Sequence, residues 1–534
     1  MRVVTGILTP VQQRDKKIRD LEIQLRNERN ARKNEKEQFE CKCTVCNTGN
    51  AQLEAIVRML QAEIAKLVAE NSDLREENRE QKKIIAALED EVAVLKGRMK
   101  KDSTNSSKPP STDGLKKPRT YSTREPSGKK PGGQSEHAGH YLKPPVEDVK
   151  IIERKEGKCS CGGEIEYNGG YQSRWRMDIE MRVHWTEERA CEGSCKICKK
   201  TYTASFSSQF NAPVSYGENL KSLVSLLNEY GNVADFKTAD IINSLFDNKI
   251  NMSPGTVVNI RYALAKKLEV TVDSIKQRLI DGGLLLVDET GVRVSGQLNW
   301  VSVYSNNQYT LFEHIKKRGD HCKDADGILA VFIGILMHDH FKSYYKNKVL
   351  THAECNQHIL RYLKAIIEIQ AHEWAKDMTR FLMEAKALKE KHIAAGETCL
   401  PPEELAGVEQ QYIAILDKGD AEYKAAIDGK NNIKRFREEL CLLRRLREYK
   451  DEHLRFLSDF NCPFGNNGSE QSVHTLKGKT RVSGGFRSDR GAKAHMTIAS
   501  VIATAKKQKK NVFRIIRDAF NGFSPELDSD GVPP

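Results

Sequence analysis

The sequence lacks the apolar segments that would carry a chain into or across a membrane. No apolar run reaches about 18 residues, and no signal peptide is recognisable. We therefore expect a soluble protein of the cytoplasm. Acidic residues are also in deficit, because 73 Asp and Glu stand against 86 Lys and Arg, a formal net charge of +13. That balance favours a polyanionic partner such as nucleic acid.

The 13 cysteines do not form a disulfide framework, because several lie at the short spacings of metal ligands or reduced thiols. Cys159 and Cys161 form one pair, and Cys195 and Cys198 form another after roughly thirty residues of strand-like alternation. The two pairs predict a zinc-ribbon-like module in which four thiolates hold Zn²⁺. Cys191 could replace one ligand, and unligated thiols are the alternative.

A leucine heptad repeat occupies residues 53–99. Leucine recurs at every seventh position, and the other seam position is rich in β-branched residues, with Asn71 and Asn78 among them. This pattern predicts a parallel two-stranded coiled coil between two copies, in which a buried Asn fixes register and partner number. One long amphipathic helix packed within a single chain is the alternative. The charged residues 14–40 predict a further helix.

Residues 101–148 interrupt every periodicity with Pro, Gly and Ser. Such a composition prevents helix and strand, so this segment is predicted to be a flexible linker. It is also basic, and Lys129 and Lys130 would contact DNA phosphates without reading sequence. A spacer that only keeps the chain soluble is the alternative.

Residues 216–268 are predicted to be helical. Residues 236–245 form one helical segment, and a second begins at Ser253, a good N-cap, with Pro254 at the first helical position. Helix, short turn and capped helix are the outline of a helix-turn-helix. All-helical connectors share that outline, so both interpretations remain open.

Two apolar segments end in a carboxylate. Residues 284–287 predict a buried strand that ends at Asp288, and residues 333–338 predict a second strand that ends at Asp339. The alternation within residues 300–313 predicts two antiparallel strands between them. Acids at the ends of adjacent strands can converge on one cation, which suggests a two-carboxylate metal site.

Several further segments along the chain carry a resemblance to a known family. They are residues 105–111 and 130–134, the cysteine module, and residues 287–290, 339–345, 352–358, 454–457 and 485–491. In this combination the chain resembles transposases of the bacterial IS66 family (the TnpC type). The resemblance implies an RNase H-like catalytic domain that acts on double-stranded DNA, and accessory proteins are usual in this family. It also implies that residues 485–491 lie beside the active site.

The resemblance further implies an Asp-Asp-Glu triad of Asp288, Asp339 and Glu470. Such oxygen ligands suit Mg²⁺ or Mn²⁺, and two ions about 4 Å apart serve an in-line phosphoryl displacement. The sequence departs from the family at Gly465, where Asp is usual, and at Gln471, where Arg is usual. A DNA-binding derivative without catalytic activity is the alternative that these departures would favour.

A basic segment, residues 471–510, follows the third acid. It carries ten Lys or Arg residues against one acid. The one-sided charge predicts a track for the DNA backbone, with contacts from Lys477, Lys479, Arg481, Arg487 and Arg490. A purely structural coiled-coil zinc protein would leave both this track and the spaced acids unexplained.

Together these features predict a multidomain α/β chain that works as a homodimer or larger oligomer, associated with the bacterial nucleoid. The predicted parts are a helical coiled-coil region (1–100), a linker (101–148), a zinc-ribbon-like module (149–212), a helical DNA-binding segment (213–280), an RNase H-like domain (281–350 and 459–520) with a helical insertion (351–458), and a tail (521–534).

Overall fold

A computed structural model of the chain describes residues 10–38, 44–106, 150–155, 157–428, 433–525 and 527. Lys129, Lys130 and most of the predicted linker lie outside these residues. The chain divides into two compact units. The first comprises Met1–Leu115, Leu360–Phe381 and Gly407–Glu448, and the second comprises Lys116–Ile359, Leu382–Ala406 and Tyr449–Pro534. No helix of the described part combines the length and the apolar character needed to cross a membrane.

The described residues form helices and strands along most of the chain. The helices are α1 (Pro10–Gln38), α2 (Thr44–Met99), α3 (Glu218–Ser225), α4 (Asp235–Leu245), α5 (Pro254–Lys267), α6 (Glu269–Ile280), α7 (Ile328–Val331), α8 (Asn356–Ile369), α9 (Glu373–Ala394), α10 (Pro402–Ile427), α11 (Arg437–Glu448), α12 (Lys450–Ser458), α13 (Asn467–Ser483), α14 (Asp489–Lys507) and α15 (Val512–Phe520). The strands are β1 (Glu192–Ser194), β2 (Thr201–Thr203), β3 (Leu284–Val294), β4 (Gln297–Ser305), β5 (Thr310–Ile315), β6 (Ile335–His338) and β7 (Thr351–Glu354). Helices α8–α12 lie between Asp339 and Glu470, where a helical insertion is predicted.

In the first unit, α1 packs antiparallel along the N-terminal half of α2. Asn71 is buried and its side-chain amide donates to Asp15, while Arg32 lies 3.7 Å from Glu54. Because residue 15 lies beside residue 71 and residue 32 beside residue 54, the two helices run in opposite directions. The side-chain amide nitrogen of Asn71 is therefore occupied within its own chain.

The heptad seam of α2 divides into two halves. The leucines along α1 are half-buried: Leu53, Leu60, Leu67 and Leu74. The later seam residues are 46% to 55% exposed: Ile85, Leu88, Val92 and Leu95. The long helix is as predicted, and the intrachain alternative describes its first half. An intermolecular coil stays a prediction, and the exposed second half of the seam is where it would form.

The second unit contains a five-stranded sheet in the order β5-β4-β3-β6-β7. β3 pairs antiparallel with β4, and β4 with β5, whereas β6 and β7 extend the sheet in parallel. This arrangement is consistent with an RNase H-like domain. The sheet continues to Glu354, past the boundary expected at residue 350. The sequence did not predict β7, because this strand is too short and too polar to give a strand pattern.

Helices cover both faces of this sheet. Leu285 and Val287 of β3 pack into one core, which also contains residues of α5, α6, α14 and α15: Leu264, Ile275, Leu279, Ile498, Val501 and Ile516. Val292 and Val294 pack into a second core, formed with Val301, Val303, Phe312, Val473, Leu476 and Met496. Alternate residues of β3 thus face opposite layers, as the period of a strand requires.

Helices α4 and α5 match the predicted outline only in part. The Ser253 hydroxyl accepts a hydrogen bond from Thr256 N at 3.2 Å, and Pro254 opens α5. Residues 246–253 connect the helices, however, and this is longer than the about three to four residues of a helix-turn-helix turn. One side of α5 is also core, through Val257, Ile260 and Leu264. DNA binding by residues 213–280 stays a prediction.

Candidate active site

Asp288 and Asp339 are brought to the same level by the parallel pairing of β3 and β6. Leu284 pairs with Ile335, and Leu286 pairs with Met337. Continuing this register by two residues places Asp288 beside Asp339. Both side chains are half-buried at the ends of apolar strand segments. The strand register therefore brings both residues to the same level of the sheet, and a shared site for their carboxylates stays a prediction.

Backbone amides orient both carboxylates. One Asp288 oxygen accepts from Glu289 N at 2.8 Å, and one Asp339 oxygen accepts from Phe341 N at 3.2 Å. The other Asp339 oxygen lies 3.7 Å from the Arg318 guanidinium. Backbone amides at the ends of their own strands thus help to orient both acids.

The first turn of α13, which carries Glu470, is attached to β3 next to Asp288. Asn466 is buried, and its side-chain amide donates to Val287 O at 2.8 Å. The hydroxyls of Ser469 and Ser305 are 2.9 Å apart. The backbone of Glu470 therefore directly follows Ser469, which is hydrogen-bonded to strand β4.

The two departures from the family pattern lie in different surroundings. A Cβ at Gly465 would come within 2.7 Å of Gln357 Cγ and 3.5 Å of Cys355 Sγ. An aspartate at position 465 would therefore require Gln357 to move, so the glycine is matched to its packing. Gln471 is exposed on α13.

A buried cluster fixes the chain that follows Asp339. Glu354 is 1% exposed and accepts a hydrogen bond from the Tyr345 hydroxyl at 2.5 Å. The same carboxylate pairs with His340, and His453 lies 3.3 Å from its second oxygen. His340 has a left-handed φ of 72°. These contacts hold His340, the residue after Asp339, in a backbone conformation that residues other than glycine rarely adopt.

Glu289 lies on the opposite face of β3, as expected. Its side chain is 1% exposed and accepts from Arg318 Nε at 2.9 Å and from Gly319 N at 3.0 Å. Burial raises the pKa of Glu289, and the hydrogen bonds from Arg318 and Gly319 partly offset that rise. Adjacent acids of one strand therefore have different surroundings.

The oxygen donors fit a hard divalent cation. Carboxylates stand at the ends of two neighbouring strands, and the buried Asn466 Oδ1 has no hydrogen-bond partner among the described residues. Within the described side chains, which do not include that of Glu470, no three His, Cys, Asp or Glu gather closely enough to hold an ion. Glu470 would have to complete the set.

Two family models match the chain. The model described as Transposase IS66 family matches residues 240–494. Over these residues the chain belongs to the IS66 transposase family. The matched region contains the whole five-stranded sheet, the helical insertion and α13, and so all three acids. Residues 51–143 match a family of unknown function, DUF6444. No curated protein matches the chain.

Each cysteine pair lies at a tight turn. Cys159 N donates to Gly163 O at 2.9 Å, and Cys195 N donates to Lys200 O at 2.9 Å between β1 and β2. Hydrogen bonds from Cys161 lower the pKa of Cys159. The backbone amide of Cys198 likewise lowers the pKa of Cys195 by hydrogen bonding to it. A lowered thiol pKa favours the thiolate that binds metal.

The described part of the chain does not bring the two pairs together into a group of three or more ligands. Residues 165–191, which connect the turns, are largely exposed and contain no helix or strand in the structure, although the sequence shows strand-like alternation there. The zinc site of Cys159, Cys161, Cys195 and Cys198 therefore stays a prediction.

The predicted DNA track needs one correction. Lys479 is buried, and its ammonium donates to Asn228 O at 2.9 Å and lies 3.7 Å from Glu229. Lys479 therefore stabilises the protein interior and does not form a surface contact with DNA. Lys477 is half-buried, whereas Arg481, Arg487 and Arg490 are exposed.

The glycine-rich segment after α13 is attached to the far part of β3. Phe486 N donates to Arg293 O at 2.7 Å, and Ser295 N donates to Phe486 O at 2.8 Å. Arg293 lies five residues beyond Asp288, about 17 Å along an extended strand. The segment is thus farther from the acids than the resemblance implies.

Proposed function

We propose that this IS66 transposase cleaves DNA at the ends of its element and joins the freed ends to target DNA. The observation that carries the proposal is the shared level of Asp288 and Asp339 on β3 and β6, with the Glu470 turn attached to Val287. Carboxylates in this arrangement are suited to metal-dependent phosphoryl transfer.

In this proposal the protein holds the metal ions and orients the reacting DNA. Asp288, Asp339 and Glu470 would hold Mg²⁺ or Mn²⁺, and two such ions stabilise both the attacking and the leaving oxygen of an in-line displacement. Water first attacks a phosphodiester at the element end, and the bond to the 3′ oxygen breaks. The resulting 3′-hydroxyl then attacks a target phosphodiester, so that one P–O bond forms as another breaks.

Other parts of the chain would bind and assemble. Exposed Arg481, Arg487 and Arg490 would contact DNA phosphates, a role for which guanidinium groups are well suited. The four cysteines of the two turns would bind structural Zn²⁺. The exposed half of the α2 seam would join two copies, and accessory proteins would act with the dimer.

A strand-transfer assay tests the site. Duplexes would carry the terminal inverted repeats that flank the gene, with Mg²⁺ and plasmid target DNA. Asp288→Asn, Asp339→Asn and Glu470→Gln should each lower the rate by about a thousandfold, because each removes a charged ligand from the site. Asp326→Asn, at an exposed loop acid, is the matched control and should retain activity. Activity that survives the three substitutions would contradict the assignment.

A further inference from the structure

Arg318 lies in the turn after β5, a position to which no motif in the sequence draws attention. Its Nε donates to Glu289 at 2.9 Å, and an Nη atom lies 3.7 Å from Asp339. A single guanidinium therefore joins a buried structural acid to an acid of the candidate active site.

The turn that carries Arg318 is rigidly built. Gly319 has a left-handed φ of 78°, and its amide donates to Glu289 at 3.0 Å. A Cβ at this glycine would lie 3.0 Å from Phe341 Cε1. His321, which is itself buried, approaches the same Glu289 oxygen at 3.4 Å. Glu289 thus fixes both the backbone and the guanidinium of the turn.

Two aromatic rings lie close to the guanidinium. Its central carbon lies 4.4 Å from the ring centre of Phe341 and 5.2 Å from that of Trp300. The Arg318 side chain is still 41% exposed, and Nη1 has no hydrogen-bond partner among the described residues. One N–H edge of a fixed cation therefore faces solvent beside Asp339.

The exposed edge of the Arg318 guanidinium can bind an anion beside Asp339. A cation beside Asp339 opposes the binding of a metal ion to the same carboxylate, because like charges repel. A phosphate that contacts both the guanidinium and the metal site removes that conflict, and the planar N–H edge of arginine matches phosphate oxygens.

We propose that Arg318 is a substrate-binding residue, which holds a phosphate of the DNA strand next to Asp339. The inference rests on the proposed transposase function and deepens it, since it names the group that positions the reacting strand. The competing explanation is that Arg318 only closes the turn over Glu289.

Two binding measurements on the full chain separate these explanations. In Arg318→Ala, Mn²⁺ binding followed by calorimetry without DNA should tighten by about threefold to tenfold, because a like charge is removed. Binding of the terminal-repeat duplex in Ca²⁺, followed by fluorescence anisotropy, should weaken by about tenfold. Arg318→Lys should keep much of the DNA affinity. Lys317→Ala removes an exposed charge from the same turn and should change neither by more than about twofold.

A DNA substitution series locates the contact. Methylphosphonates would neutralise one phosphate at a time near the cleavage site. At one position the wild type should lose about tenfold in affinity, whereas Arg318→Ala should lose nothing further, which is the signature of a shared contact.

Opposite changes in metal and DNA affinity would support the proposal. Weakening of both would indicate a structural role and overturn it, as would unchanged DNA affinity or additive losses at every phosphate. If the wild type neither cuts nor joins DNA, the proposed function fails. A shared phosphate contact would then still support the role of Arg318 in binding DNA.

Discussion

At the scale of single residues, the alternation of β3 assigns different tasks to neighbouring acids. Asp288 shares its face with Leu286 and the first turn of α13, whereas Glu289 points to the opposite face and binds the Arg318 turn. Both side chains are carboxylates, so residue type alone does not distinguish their roles. Their surroundings do, because Glu289 is enclosed by the donors of the Arg318 turn, whereas Asp288 accepts from the backbone amide that follows it.

Glu229 shows how strongly a buried acid can organise its surroundings. It is 5% exposed, and its carboxylate accepts from Arg261 Nε at 2.5 Å and pairs with His495 Nδ1 at 2.6 Å. Burial by itself would raise the pKa of Glu229, but His495, Lys479 and Arg261 lower it well below its ordinary value. The contacts connect α5, α13 and α14 to one carboxylate.

Glu229→Gln should therefore destabilise the protein at pH 7 by about 3–5 kcal/mol, because Lys479, His495 and Arg261 lose the carboxylate that they share. The folded pKa is depressed, so the stabilisation is present above the unfolded pKa of about 4.3 and is lost as pH falls through the folded value. Thermal unfolding measured at several pH values should show the largest deficit at pH 7 and a smaller one below about pH 4. Glu269→Gln, at an exposed acid, is the control. An equal deficit for both variants would contradict this account.

At the scale of elements, α13 decides where the third acid stands. The helix is attached to the sheet through the bond from Asn466 to Val287 O, and Asn466 N also approaches Cys355 Sγ at 3.1 Å. Neither partner is near Asn466 in sequence. The position of Glu470 therefore depends on packing between α13, β3 and the segment after β7.

Asn466→Ala should lower the strand-transfer rate by about tenfold to a hundredfold, because a small displacement of the α13 turn misplaces Glu470. Affinity for the terminal-repeat duplex in Ca²⁺ should change by less than about twofold, since Asn466 is buried away from DNA. Rates and anisotropy on the same preparations would be compared with Asn461→Ala, at an exposed position. A normal rate in Asn466→Ala would show that the Val287 bond does not position the acid.

At the scale of the whole molecule, the two halves of the α2 seam have different surroundings. The half beside α1 is used within the chain, and the half from Ile85 to Leu95 remains exposed. A helix with such a seam can stabilise its own hairpin and still present an apolar stripe to a second copy.

The double variant Leu88→Glu, Leu95→Glu should abolish self-association in sedimentation velocity, because four like charges would meet across the seam of a dimer. Helix content measured by circular dichroism should remain, since both leucines are exposed in the single chain. Ala87→Glu adds charge beside the seam and should leave the dimer intact. A dimer that persists in the double variant would place the interface elsewhere.

The sequence by itself determined the local elements, because each has a periodic signature. The apolar run before Asp288, the heptads of α2 and the Ser253-Pro254 helix start are read from neighbouring residues, and the structure forms each of them. The resemblance to the IS66 family added Glu470, which no local pattern marks among the acids that follow Asp339.

Only the tertiary structure decided which side chains meet. It enclosed Lys479 with Glu229, turned the first half of the α2 seam toward α1, and set Arg318 between Glu289 and Asp339. These contacts join residues that are distant in sequence, and their partners depend on sheet order and helix packing. Local periodicity carries no information on either, which is why Asp288 could be found from its strand and Arg318 could not.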